Sequence, residues 1–310
     1  MTAPPDPSTV RVPGPWTHRD VSANGIRLHI AEAGDGPLVL LLHGFPEFWW
    51  SWRHQLPALA DAGVHAVAVD LRGYGDSDKP PRGYDLWTLA GDVAGLVRAL
   101  GARRAAVVGH DWGGVLAWCT AALHPRLVSS VAALGTAHPL AMRRAVLRDG
   151  AQRRASRYGL GFQLPLLPER RLMRDGGAHV ERILRTWGGS RWTSRPEFAE
   201  VAARNREAMT IPGAAHSALE YHRWAVRSLL RPDGHRFAAA VDRRIDVPVL
   251  QLHGMADPCV LERTARGSQD WSAGEHRYHA LDGVGHFVQQ EDPELTTTLL
   301  AEFLTPPPPP

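Results

Sequence analysis

Cysteine, lysine and long apolar runs are what this chain has least of. Two cysteines in 310 residues, Cys119 and Cys259, are too few for a disulfide framework, so a small cross-linked secreted scaffold is excluded. The first residues contain no apolar stretch of the kind that directs secretion, and no run approaches a membrane span. The cytoplasm is therefore the expected setting. No glycine cluster has the spacing of a phosphate loop and no group of ligand residues has metal spacing, so neither cofactor nor metal is expected. No fixed-period repeat is visible. Lys79 is the only lysine, which leaves arginine to carry nearly all the positive charge. Residues 138–235 hold eighteen arginines against nine acidic residues; with a net charge of +3, that excess of nine leaves the remainder negative by six. Such a region is either a solvated surface or one that attracts anionic substrates or an acidic membrane. Nucleic acid is not an expected partner, since no recognition motif is present and the rest of the chain is acidic.

The ends are proline-rich. Residues 1–17 are expected to be disordered, and the five prolines 306–310 to form an extended tail. Between them, 44 % hydrophobic content allows a large core. Short apolar runs, such as residues 66–70 and 127–134, alternate with helical stretches such as 86–100. That alternation predicts an α/β fold with a mostly parallel sheet covered by helices, in two core halves, 18–137 and 236–305. Residues 138–235 lose the strand pattern and read as an inserted helical lid. A monomer or a homodimer is compatible with all of this.

Gly109-His110-Asp111-Trp112-Gly113-Gly114 follows the apolar run Ala105 to Val108 and leads into a helix-like stretch. Strand, tight turn and helix make the context of a nucleophile elbow, with aspartate in the place where serine is usual. A serine attacking an alkyl or epoxide carbon would leave an ether that water cannot remove. A carboxylate leaves an ester, which an activated water can hydrolyse. Asp257 lies on a loop just after the buried strand-like run ending at Gly254, and His286 follows another short strand before a helix at about 291–304. The order nucleophile, acid, histidine on three strand-exit loops is that of a hydrolytic triad. Sixteen histidines make stray matches easy. His110 reads as a structural turn residue, His253 and His279 as packed residues near strand ends, and Asp76 and Asp78 as parts of a turn. His43-Gly44-Phe45-Pro46-Glu47, after the apolar run 38–42, would supply an oxyanion hole from the N–H groups of Phe45 and Trp112. Trp49, Trp50 and Trp52 read as packing residues, whereas Trp112 should have its ring in the cleft.

Together these motifs resemble the epoxide hydrolase branch of the α/β-hydrolase superfamily, from about residue 22 to residue 304. Resemblance to that branch implies two lid tyrosines that hydrogen-bond the epoxide oxygen, and no cofactor. Tyr158, in Tyr158-Gly159-Leu160-Gly161-Phe162-Gln163-Leu164-Pro165, matches the first, with Phe162 beside the substrate. The second departs from pattern: the family places tyrosine directly before arginine, but here Tyr221-His222-Arg223 puts His222 in that slot. Adjacent helical residues point about 100° apart, so His222 or Tyr221, not both, should face the cleft. The expected partner is a small-molecule epoxide, converted to a vicinal diol through an ester on Asp111. Two alternatives stand beside it. One is a haloalkane or haloacid dehalogenase with the same nucleophile, though haloacetate dehalogenases usually carry arginine where this chain has Trp112. The other is a ligand-binding relative without turnover.

Overall fold

The computed structural model describes residues 4–305. Eight strands form one sheet: β1 (Thr17–Ala23), β2 (Ile26–Ala33), β3 (Leu38–Leu42), β4 (His65–Val69), β5 (Ala105–His110), β6 (Val128–Leu134), β7 (Val249–Gly254) and β8 (His276–Leu281). Their spatial order is β1-β2-β4-β3-β5-β6-β7-β8, antiparallel at the β1–β2–β4 edge and parallel from there on. Strands β3 and β5 are buried at every position. That is why their sequences run apolar without alternation: helices cover both faces of a parallel sheet. The helix Leu86–Ala99 shows how locally this is encoded. Asp85 caps it by accepting from Thr88 N, and Leu86, Leu89, Ala90, Val93, Leu96 and Val97 repeat at helical spacing on its buried side.

Register puts the functional loops side by side. Leu42 pairs with Gly109 and His110 with Leu134, so the loop after β3 and the turn after β5 emerge together. Leu134 pairs in turn with Leu252, and Gly254 with Leu281, bringing the β7 and β8 exits to the same edge. Ligands in open α/β sheets bind at this carboxyl edge.

No strand lies between β6 and β7 among the described residues; the chain there is helical, beginning with Pro139–Arg148, Gly150–Ala155 and Tyr158–Gly161. Leu167–Trp187 is broken at Arg174–Gly177, where three residues take left-handed angles. Phe198–Thr210 and Ala214–Arg227 follow. The expected border at 235/236 falls inside the helix Pro232–Val241, because Phe237 packs on Trp224 of the insertion and on Trp87 of the core.

The expectation of disorder over residues 1–17 is corrected from residue 4 onward. Pro7–Val10 forms a short 3-10 turn, Val10 and Val12 are buried, and Trp49 Nε1 donates to Val10 O at 2.8 Å. Trp16 meets Trp49 edge-on at 5.2 Å. Prolines deny this segment a strand, but side-chain packing needs no backbone ladder. Residues 1–3, expected to be disordered, and the expected extended tail 306–310 lie outside the described residues.

Candidate active site

Asp111 stands at the turn between β5 and the helix Trp112–Leu123, with φ 48° and ψ −114°. This is a sparsely populated region for any residue but glycine, and such strain persists only where its surroundings enforce it. Two glycines make it possible. A Cβ on Gly109 would lie 2.1 Å from Gly113 C, and one on Gly113 would lie 2.1 Å from Leu42 O. Asp111 N donates to Leu134 O at 3.0 Å, fixing the turn to β6. The elbow lifts the carboxylate out of the sheet, with about a fifth of its surface accessible.

Phe45 N–H points at Asp111 Oδ2 at 3.0 Å. Trp112 N–H is the first amide of its helix and has no carbonyl one turn earlier in that helix to bond. The Phe45 donor therefore lies against the Asp111 carboxyl group, and the Trp112 amide follows Asp111 with no partner inside its own helix. On its other side, His286 Nε2 lies 3.7 Å from Asp111 Oδ1, buried and without a hydrogen-bond partner. His286 Nδ1 donates to Asp257 Oδ2 at 2.8 Å, and Asp257 Oδ1 accepts from Cys259 N and Val260 N at 2.7 and 3.0 Å. Burial opposes a charge on His286. The Asp257 charge and hydrogen bond, then Asp111 and Glu47, outweigh it and push the imidazole up to about 9. In the free protein His286 is thus an imidazolium held between two carboxylates. Asp257, Cys259 and His286 have donor atoms within 4.8 Å of one another. Burial keeps the Cys259 thiol protonated, and Asp257 is committed to His286, so the set suits proton handling rather than a cation.

Five aromatic rings pack on one another beside the loop that carries Phe45. Phe162 meets Phe45 at 5.7 Å and His222 at 5.0 Å; Tyr158 meets Trp187 at 5.0 Å and His222 at 6.0 Å. The half-buried Tyr158 makes no hydrogen bond through its hydroxyl to the described residues, and burial pushes its pKa well up, so it keeps its proton. The structure separates the two neighbours on Ala214–Arg227. Tyr221 does not face the cleft: its hydroxyl donates to Arg72 O at 2.8 Å, and its ring packs against Tyr74 and Tyr84. One residue on, His222 turns toward Trp112, whose Nε1–H donates to His222 Nε2 at 3.1 Å. Ala218 O can only accept, so His222 Nδ1 carries the ring proton and donates to it at 3.2 Å. Burial pushes His222 down to about 4, so it is neutral at ordinary pH.

Two residues, Trp187 and Glu291, and one contact, between Glu47 and His110, were not read from the sequence. Trp187 closes the wall beside His286 at 5.5 Å and accepts from His286 N at 2.9 Å. Glu291 gathers the N–H groups of Gly189, Gly285 and Phe287 at 2.9, 2.6 and 2.9 Å, fastening the helical insertion to the histidine loop. Glu47 binds His110 Nδ1 at 2.7 Å, while His110 Nε2 reaches His286 O at 2.8 Å. His110 is thus structural, as expected, but it buttresses the catalytic loop. A run of Trp187-Gly188-Gly189 closing a helix was the available signal; nothing local marks Glu291 as its partner. His253 is packed as expected, though neither ring nitrogen finds a partner. Asp76 pairs with Arg11 and Arg27 in its turn, and Trp49, Trp50 and Trp52 are buried.

Comparison with known proteins agrees with this geometry. The family profile described as alpha/beta hydrolase fold matches residues 37–293. Epoxide hydrolase A of Mycobacterium tuberculosis is 38 % identical over 94 % of this chain and 98 % of its own length. Among solved structures, epoxide hydrolase A from Mycobacterium thermoresistibile aligns with TM-score 0.72 at 32 % identity, covering 93 % of this chain and 98 % of its own. An epoxide hydrolase from Bacillus megaterium in complex with an inhibitor aligns with TM-score 0.80 at 26 % identity, over 92 % of this chain and 99 % of its own.

Proposed function

The chain belongs to the α/β-hydrolase fold family and, within it, to the epoxide hydrolases, and from that premise we propose which of its residues carry the reaction. Asp111 attacks an oxirane carbon, forming an ester as the ring C–O bond breaks. The released electron pair goes to the epoxide oxygen, which takes a proton from Tyr158. His222 supplies the second hydrogen bond to that oxygen. Because its resting tautomer accepts from Trp112, it must move its proton from Nδ1 to Nε2 and release the indole. The cost is two hydrogen bonds, the indole's at 3.1 Å and the one to Ala218 O at 3.2 Å, each of order 1 kcal/mol.

Esterification removes the Asp111 charge, one of the charges that raise the His286 pKa. The histidine then gives up its proton, by way of solvent, to the Tyr158 phenolate left by ring opening, and can act as a base. It takes a proton from water, which attacks the Asp111 carboxyl carbon, and the N–H groups of Phe45 and Trp112 hold the oxyanion. Collapse of the tetrahedral species expels the diol oxygen, which His286 protonates; the proton left on the Asp111 carboxyl group then passes to His286, restoring the carboxylate and the imidazolium. The observation that carries this reading is His286, hydrogen-bonded to Asp257 and 3.7 Å from Asp111 with its Nε2 free. Diol formation from styrene oxide, a trans-stilbene-type oxide and a fatty-acid epoxide tests it. Silence with every epoxide would count against it.

Both cysteines are free and buried, which fits a reducing setting such as the cytoplasm.

A further inference from the structure

The sheet's functional edge is covered by a surface that the chemistry above does not use. Of the ten large hydrophobic side chains exposed among the described residues, six fall between Leu147 and Met173. Four of them, Leu160, Leu164, Leu166 and Leu167, surround the short helix that carries Tyr158 and the Pro165-Leu166-Leu167-Pro168 turn after it. Leu166 is 63 % exposed, on a backbone with φ 63° that a leucine rarely adopts. The turn is not loose. Arg223 donates to Phe162 O and Leu164 O from beneath, both at 2.9 Å, and pairs with Glu169 at 2.7 Å. The leucines are thus held outward on a rigid base.

Cations frame these leucines. Arg148, Arg153, Arg154, Arg157, Arg170 and Arg171 are exposed, and none has a carboxylate within salt-bridge distance among the described residues. A solvated basic face has no use for clustered leucines, and a nucleic-acid face would lack a reason for them. A second copy meeting the patch through two-fold symmetry would bring like charges together. An anionic lipid surface satisfies both parts: guanidinium groups pair with phosphates while apolar side chains enter the interface.

We propose that residues 147–173 of the lid dock the protein on an anionic bilayer surface, which presents the Tyr158 side of the cleft to epoxides dissolved in lipid. Docking does not depend on the ring-opening assignments, so each can fail alone.

The experiment is co-flotation of the full chain with vesicles of pure phosphatidylcholine and of phosphatidylcholine with phosphatidylglycerol in equal parts. Binding to the anionic vesicles, weakened by molar salt and absent with pure phosphatidylcholine, is the expected result. Removing four charges (Arg153, Arg154, Arg170 and Arg171, each to Gln) should weaken it by at least about tenfold. The pair Leu166→Ser and Leu167→Ser should weaken it at unchanged charge. Both variants should hydrolyse a water-soluble epoxide like the parent, which shows that they fold. No flotation, equal flotation with both vesicle types, or flotation indifferent to either variant would overturn the proposal. So would a dimer in solution that the leucine pair dissolves, because the patch would then be its own partner.

Discussion

At Asp111 one side-chain atom decides the class of chemistry, and the sequence showed it plainly. Asp111, Asp257 and His286 were legible because each sits in a loop whose glycines and preceding apolar strand are local features. Tyr221 and His222 were not separable in that way, since a helix shows which residues are neighbours but not which azimuth meets the cleft. Their placement now gives opposite expectations. Tyr221→Phe removes a buried hydrogen bond to Arg72 O and should lower stability by about 1 kcal/mol while leaving kcat within a few-fold. His222→Phe and Tyr158→Phe should each lower kcat/KM by roughly a hundredfold or more, as loss of a transition-state donor does. Steady-state kinetics on one epoxide, with thermal unfolding alongside, separates these cases. The raised pKa of His286 adds a kinetic signature. In the free protein it is an imidazolium below about 9; once Asp111 is esterified, its pKa falls. Ester hydrolysis should therefore accelerate as pH rises from neutrality, through a pKa below the resting one. Stopped-flow fluorescence of Trp112 and Trp187 would resolve the two half-reactions, and a hydrolytic rate flat across that range would speak against this order of events.

The runs bounded in the sequence at 38–42, 66–70, 105–108 and 127–134, and the helix at 86–100, lie within two residues of the elements in the fold, because parallel strands buried on both faces cannot hide their apolar runs; β1 and β2 were given no bounds. Connections were less visible. The N-terminal segment is rich in proline yet ordered from residue 4 by Trp16, Trp49 and Val10, contacts that span dozens of residues and leave no local trace. Glu291 is a similar case: three amides from two distant loops converge on it, and only the folded chain brings them together. Replacing Glu291 with alanine leaves those amides unpaired, at about 1–3 kcal/mol each if they stay buried. Ester hydrolysis should suffer more than alkylation, since the loop that slackens is the one holding His286. Equal slowing of both half-reactions would instead mean that Glu291 supports the fold alone.

Across the whole molecule, the same buried histidine couples chemistry to stability. His286 binds its proton more tightly when folded than its ordinary value of 6.5 allows, so its contribution is complete below that value and is lost as pH rises through about 9. Asp257 acts in the opposite sense, its lowered pKa contributing above the ordinary carboxylate range and failing in acid. Thermal unfolding should show stability declining on the alkaline side by no more than about 1.4 kcal/mol per pH unit from this group, and His286→Gln should flatten that decline. The charge asymmetry between insertion and core was legible from residue counts. Which arginines lack partners was not, since pairing depends on where the helices lie.

The covalent ester is the point on which everything else turns, and intact-protein mass spectrometry of His286→Gln after exposure to styrene oxide tests it most directly. Without its base the protein should gain the mass of one substrate molecule, and the added mass should map to the peptide holding Asp111. Diol formation by this variant with no adduct, or an adduct on any other residue, would contradict a carboxylate nucleophile at Asp111.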